Sequence, residues 1–201
     1  MRKTVYALAA LAGAAMLAVP AAASASTASA STMSASASAT QTLSFRGMSL
    51  TIPSGWQVYR DGDRVKVITG ACGKPSAGYF TPKCDAFWIF GPKVLKYGHE
   101  GFSAYTPEQP FYPASDVQAC PFNGKYGQVL GKATAVGVRQ VGPGHKADYR
   151  SWFGRCVKHS NGEQTATFDQ REWYLPKSKI LVVDVWNTPG LADTLRRASW
   201  S

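Results

Sequence analysis

Runs of alternating apolar and polar residues, separated by short turns, are the feature that most constrains the fold of this chain. Residues 48–52 have the sequence MSLTI, and residues 56–60 (WQVYR) and 64–69 (RVKVIT) flank Asp61-Gly62-Asp63. Side chains of a strand point alternately to its two faces, so such runs predict half-buried strands. Asp-Gly between two of them predicts a β-hairpin, because glycine accepts the positive φ angle that a tight hairpin turn needs.

The same pattern continues through the second half of the chain. Residues 86–90 (AFWIF) form a compact apolar run, which predicts a buried strand, and further strands are predicted over 128–141, 148–159 and 165–175. The segment 179–186 (KILVVDVW) is apolar on both faces. A strand of this kind is expected in the middle of a sheet, where both faces are covered.

A short amphipathic helix is predicted at the C-terminus. Thr188 is suited to an N-cap and Pro189 to the first helical position, while Leu191, Leu195 and Ala198 would share one face. The predicted fold class is therefore α+β: a mainly antiparallel β-sheet with a C-terminal helix, held together by disulfides.

The N-terminus has the pattern of a secretory signal peptide. A basic start, Met1-Arg2-Lys3, precedes an apolar block, and A-x-A sites follow at residues 23–25 and 28–30. This predicts a signal peptide over residues 1–30, with cleavage near residue 25 or 30. A membrane-spanning helix needs about 20 strongly apolar residues, whereas this block consists mostly of small residues. We therefore expect a secreted, extracellular protein with no integral membrane span in its mature form.

The remaining chain divides into two parts. Residues 31–40 (STMSASASAT) lack bulky apolar side chains and are predicted to be a disordered linker, because they cannot bury enough surface to fold. Residues 41–201 have the length of a single globular, β-rich domain.

Four cysteines, Cys72, Cys84, Cys120 and Cys156, lie in that domain. An even number in an exported chain predicts two disulfides, with three connectivities open. We favour Cys72–Cys84 and Cys120–Cys156, because the first pair would brace a loop rich in glycine and proline. No pair has C-x-x-C spacing and the three histidines are scattered, so neither a metal site nor a cofactor is predicted.

The basic character of the chain suggests an anionic partner. Of 22 basic residues, Arg2 and Lys3 fall in the predicted signal peptide, which leaves 20 against 12 acidic residues and a net charge of +8. Such a charge attracts polyanions over long range. Outside a Gram-positive cell these would be teichoic acids and anionic lipids, with nucleic acid a less available target. Candidate binding residues come from the long, Gly/Pro/Tyr-rich stretch 91–128, since long connections are often functional: Lys93, Lys96, Tyr97 and Lys125.

The same stretch contains the best catalytic candidates, His99 and Glu100. Histidine can act as a general base near neutral pH, which leaves a secreted hydrolase as an alternative function. Residues 101–105 (GFSAY) approach the G-x-S-x-G motif of serine hydrolases, but Tyr105 stands where the final glycine belongs. A third alternative is a protein inhibitor that presents a disulfide-braced loop at 73–83.

The start of the domain resembles a known family. Phe45, followed by residues 50–56 (LTIPSGW), is similar to the opening of PsbP-like α/β sandwich domains. The resemblance implies a strand, a turn at Pro-x-Gly, and Trp56 at the start of the next strand. It also implies a late strand followed by a helix that ends near Ser199 or Ser201. PsbP-like domains mostly bind or scaffold. The Ala/Ser-rich leader resembles that of uncharacterised secreted proteins of high-GC Gram-positive bacteria.

These features favour a secreted, non-enzymatic binding protein that associates with the anionic cell envelope or its polymers, or with another exported protein. Because salt shortens the reach of surface charge, such association should weaken as the salt concentration rises.

Overall fold

The computed structural model describes residues 39–75 and 81–201 of the chain. The strands are β1 (Thr40–Phe45), β2 (Met48–Pro53), β3 (Gln57–Asp61), β4 (Arg64–Cys72), β5 (Cys84–Phe90), β6 (Gly127–Gln140), β7 (Lys146–Val157), β8 (Gln164–Leu175), β9 (Ile180–Asp184) and β10 (Ser199–Trp200). The helices are α1 (Pro92–Leu95) and α2 (Leu191–Arg196). The predicted signal peptide, 1–30, and most of the predicted linker lie outside the described residues.

The strands form two sheets. The larger has seven strands in the order β3-β4-β5-β9-β8-β7-β6, and the smaller has the order β1-β2-β10. Each strand pairs with its neighbours in antiparallel fashion. The predicted fold class, mainly antiparallel sheet with a short C-terminal helix and disulfides, is confirmed. β9 lies at the centre of the larger sheet with every residue buried, as its two apolar faces predict.

The predicted hairpin joins β3 to β4. Asp61 pairs with Arg64 across the turn, and Gly62 has a φ of 56°, which explains why glycine stands there. The Asp63 carboxylate accepts the backbone N–H of Lys93 at 2.6 Å, so the turn also holds the start of α1. Asp61-Gly62-Asp63 therefore forms the turn between β3 and β4.

The seven-stranded sheet separates two apolar cores. The first lies between this sheet and β1, β2 and α2, and includes Leu50, Phe87 and Leu191. The second lies on the other face and includes Trp88 and Phe111. It is covered by α1 and by residues 96–126, which we call the docked segment and which contains no named strand or helix. Most of the long, unpatterned stretch 91–128 therefore covers the second core.

The start of α2 differs from the prediction. Its N-cap is Gly190, with a φ of 73°, and the helix begins at Leu191 rather than at Pro189. Thr188 has another role, since its N–H and its hydroxyl both donate to the buried Asp184 carboxylate at 3.0 Å. The three residues predicted to share one face, Leu191, Leu195 and Ala198, are all buried, although Ala198 lies just beyond the last residue of α2.

Both disulfides have the favoured connectivity. Cys72–Cys84 links register partners of β4 and β5, and Cys120–Cys156 ties the docked segment to β7. Neither helix in the described ranges has the length and apolar character needed to cross a membrane.

Candidate anion-binding cleft

The predicted catalytic residues lie in an exposed turn of the docked segment. His99 and Ser103 exchange backbone hydrogen bonds of 3.0 and 3.1 Å, and His99 Nδ1 lies 3.2 Å from Ser103 Oγ. Glu100, at a φ of 49°, and Gly101, at 69°, form the bend between them. Within the described ranges no carboxylate is hydrogen-bonded to the imidazole, and Glu100 makes no hydrogen bond. The turn thus brings a hydroxyl to His99, but it does not bring Glu100 to the ring.

The predicted binding residues divide between two turns. Lys93, Lys96 and Tyr97 belong to α1 and the turn after it, and Tyr97 is 59% exposed. Lys125 lies in a different turn, where its N–H donates to Asn123 Oδ1 at 3.1 Å. Part of the predicted inhibitory loop, 73–83, lies outside the described residues.

A buried carboxyl group, Glu172, attaches the docked segment to the sheet. It accepts hydrogen bonds from the Tyr105 hydroxyl at 2.7 Å and from the Phe111 N–H at 2.8 Å. Gln170 donates to Glu172 and to the Phe111 carbonyl, both at 2.8 Å. Burial raises the pKa of Glu172, and these hydrogen bonds partly oppose that rise. Because Glu172 and Gln170 are fully buried, this cluster holds the segment in place rather than meeting a ligand.

A second group of polar residues surrounds an open cleft on the opposite face of the sheet. This arginine cleft has a volume of about 220 Å³ and lies between β6, β7, β8 and α2. Its lining residues are Arg139, Gln140, Tyr149, Arg171, Trp173, Ala192, Asp193 and Arg196.

Two neighbouring aromatic rings form the base of the cleft. Tyr149 of β7 and Trp173 of β8 are direct cross-strand partners, with ring centroids 5.1 Å apart and planes inclined by 53°. The Arg139 guanidinium lies over the Tyr149 ring at 4.7 Å, and that of Arg171 over the Trp173 ring at 5.4 Å. Cation–π attraction of this kind favours a defined position for each guanidinium group. The two guanidinium groups held over the rings therefore bring two positive charges to the cleft.

Arg171 is held rigidly from behind. Its Nε donates to Asp184 Oδ2 at 3.0 Å, and its Nη2 donates to the same oxygen and to the Thr188 carbonyl at 3.2 Å. Asp184 is fully buried, whereas the Arg171 side chain is 17% exposed. In the part of the chain that the structure describes, Nη1 of Arg171 makes no hydrogen bond. One end of the guanidinium group is thus anchored and the other is available.

The balance of charge at the cleft is positive. Asp184 offsets the charge of Arg171, and Asp193 pairs with Arg196 at 3.0 Å at an exposed site. Arg139 has no such partner among the described residues, where its Nη1 donates only to the adjacent Val138 carbonyl. Guanidinium groups remain protonated at neutral pH and bind carboxylates and phosphates. The arrangement can therefore hold an anion.

Arg139 and Arg171 are not among the site residues that the sequence predicts. One signal was present: Arg171 and Trp173 are two positions apart in a predicted strand, which places them on the same face. Their meeting with Arg139 and Tyr149 depends on strand register, and a single sequence does not supply that.

Comparison with protein families, with curated proteins and with solved structures finds no match to this chain. The PsbP-like resemblance of residues 45–56 therefore stays a prediction.

Proposed function

We propose that this chain is a secreted, non-enzymatic binding protein that associates with anionic polymers of the cell envelope. The observation that supports it best is the placement of Arg139 and Arg171 over adjacent rings at the mouth of one cleft. Surface lysines are usually only solvated, but oriented guanidinium groups beside an open volume offer an anion a defined place to bind.

The overall charge supports the same function. The chain carries 22 basic and 12 acidic residues, so its field attracts polyanions from a distance and the cleft would act after encounter. Lys93, Lys96 and Lys125, the residues singled out by sequence, would contribute to the long-range attraction. Their exposed positions suit that role.

The two disulfides agree with an extracellular or otherwise oxidising location. An envelope polymer is a partner that a secreted protein meets at high local concentration.

Retention on purified Gram-positive cell walls tests this function. We expect the disulfide-intact protein to bind walls at about 0.1 M salt and to be released at about 1 M, where the Debye length falls from about 10 to about 3 Å. Retention that is unchanged at high salt would contradict the electrostatic mechanism, and absence of retention at low salt would contradict the function.

A hydrolytic function is the second candidate, and the 3.2 Å approach of Ser103 Oγ to His99 Nδ1 favours it. A hydroxyl beside an imidazole has the two groups of a nucleophile–base pair. If the protein hydrolyses a generic ester substrate, His99→Ala should abolish turnover. Turnover that survives the substitution would exclude His99 as the base.

A further inference from the structure

We propose that the arginine cleft recognises a phosphodiester of a polyol, with Arg171 as the fixed donor and Arg139 as the movable one. This inference rests on the anion-binding function proposed above and adds the chemical class of the ligand.

Arg171 is suited to be the fixed donor because its geometry is determined before any ligand arrives. Asp184 and Thr188 hold Nε and Nη2, and the Trp173 ring lies beside the guanidinium plane. The two N–H groups of Nη1 are then oriented without further loss of side-chain freedom. Donors that are ordered before binding hold a ligand more tightly, because the fold has already restricted the side chain and little conformational entropy is lost on binding.

Arg139 is the movable donor. Its side chain is on the exposed edge strand β6 and is positioned by the Tyr149 ring and by one hydrogen bond to the Val138 carbonyl. Its Nε and Nη2 make no hydrogen bond within residues 39–75 and 81–201. The side chain can therefore move from the ring to a ligand held by Arg171 while it keeps its charge in the cleft.

The presence of two guanidinium donors favours phosphate over carboxylate. Arg139 lies over the Tyr149 ring and Arg171 over the adjacent Trp173 ring, so the cleft has two separate guanidinium groups. A planar carboxylate is satisfied by one guanidinium in its own plane. A tetrahedral phosphate directs its oxygens in three dimensions and can accept hydrogen bonds from two guanidinium groups at once.

The acceptors at the rim favour a polyol ester over free inorganic phosphate. The Asp193 carboxylate lines the cleft, and among the described residues only its Oδ1 accepts a hydrogen bond, from Arg196. A free phosphate carries about −1.5 to −2 charges near neutral pH and is repelled by this carboxylate. A phosphodiester carries a single charge, and hydroxyl groups of its polyol can donate to Asp193 Oδ2 and to the amide oxygen of Gln140.

The volume of the cleft limits the ligand to one repeating unit. Sites for drug-sized ligands usually measure about 300–1,000 Å³, whereas this cleft measures about 220 Å³. It opens to solvent at the edge of the sheet, so a longer chain can continue out of it. The cleft is thus expected to bind one phosphodiester of a polymer and leave its neighbours in solvent.

Titration with small probes, followed by backbone amide NMR shifts and by calorimetry, tests the inference. The probes are glycerophosphoglycerol, galacturonate and inorganic phosphate. We expect glycerophosphoglycerol to bind most tightly and to shift the amides around Arg139, Tyr149 and Arg171. Galacturonate binding as tightly would overturn the preference for phosphate. Inorganic phosphate binding as tightly would overturn the role assigned to the polyol.

Variants locate the binding. Arg139→Gln should weaken glycerophosphoglycerol binding about tenfold, the usual size of a lost charged hydrogen bond. Arg171→Lys, which keeps a cation beside Asp184, should weaken it comparably. Arg155→Gln removes the same charge from an exposed position on β7 outside the cleft and should change affinity by less than about twofold. Equal losses in Arg139→Gln and Arg155→Gln would overturn the inference.

The result is separable from the test of the proposed function. Salt-sensitive retention on cell walls, combined with no shift at the cleft, would leave the function standing and remove the ligand assignment. Amide shifts at the cleft without retention on cell walls would support the ligand assignment and contradict the proposed function.

Discussion

The hydroxyl of Tyr105 donates a 2.7 Å hydrogen bond to the fully buried carboxyl group of Glu172, across 67 positions of sequence. This contact joins the docked segment to the central part of the seven-stranded sheet. Burial raises the pKa of the Tyr105 hydroxyl, and the neighbouring Glu172 raises it further, so the phenol stays a donor at all physiological pH values. The segment is consequently held by a polar contact beneath an apolar cover.

Removing the donor should destabilise the protein. Tyr105→Phe leaves Glu172 Oε2 buried without its hydrogen bond, which should lower the free energy of unfolding by about 1–3 kcal/mol. Urea denaturation measures the change. Tyr97→Phe, at a 59% exposed site, is the matched control and should stay within about 0.5 kcal/mol of the parent. An equal effect of the two substitutions would contradict the role of the contact.

Glu172 should make stability depend on pH. Its pKa is raised in the folded protein above the ordinary value of 4.5, because burial disfavours the charged form. The folded state then binds the proton more tightly than the unfolded state. The contribution of Glu172 to the free energy of unfolding is fully present below pH 4.5. It is lost as the pH rises through the pKa that Glu172 has in the folded protein.

Substituting Glu172 tests this dependence. Glu172→Gln should reduce the decline in the free energy of unfolding above pH 4.5, measured by urea titrations at a series of pH values. Parent and variant curves that run parallel would show that Glu172 is not the group responsible.

The two aspartate–arginine pairs at the cleft should differ greatly in their effect on stability. Asp184→Ala removes the partner of Arg171 together with the acceptor for Thr188, at a fully buried position, and should cost about 3–5 kcal/mol. Asp193→Ala breaks a pair whose side chains are both 61% exposed and should cost about 0–1 kcal/mol. Thermal and urea unfolding of both variants gives the comparison. Similar costs would contradict the assignment of Asp184 as the anchor of Arg171.

The disulfides should contribute according to the length of chain that each closes. Cys120–Cys156 spans 36 positions and Cys72–Cys84 spans 12. The chain-entropy relation gives about 4 kcal/mol for the first and about 3 kcal/mol for the second. Paired Cys→Ser variants, compared by urea denaturation, should therefore rank in that order. The reverse order would show that the native contacts around Cys72–Cys84 matter more than loop length.

Several features of the fold could be predicted from the residues because they depend on local chemistry. The β3–β4 hairpin follows from Gly62 between two alternating runs, since a residue with positive φ at that position closes the turn. The central position of β9 follows from an apolar run that needs cover on both faces. The choice of Gly190 rather than Thr188 as the N-cap of α2 did not follow, because a buried carboxylate elsewhere uses the threonine.

Alternation and turn residues, both properties of neighbouring positions, were enough to predict the fold class and most of the strands. The even number of cysteines predicted two disulfides but left their connectivity open. The arginine cleft and the docked segment were decided only by the tertiary structure. Arg139, Arg171 and Arg196 come from β6, β8 and α2, and their meeting depends on the register of three strands and the placement of a helix. The contact between Tyr105 and Glu172 likewise depends on where a segment without secondary structure folds back. Such long-range geometry arises from packing, and the order of residues along the chain does not encode it locally.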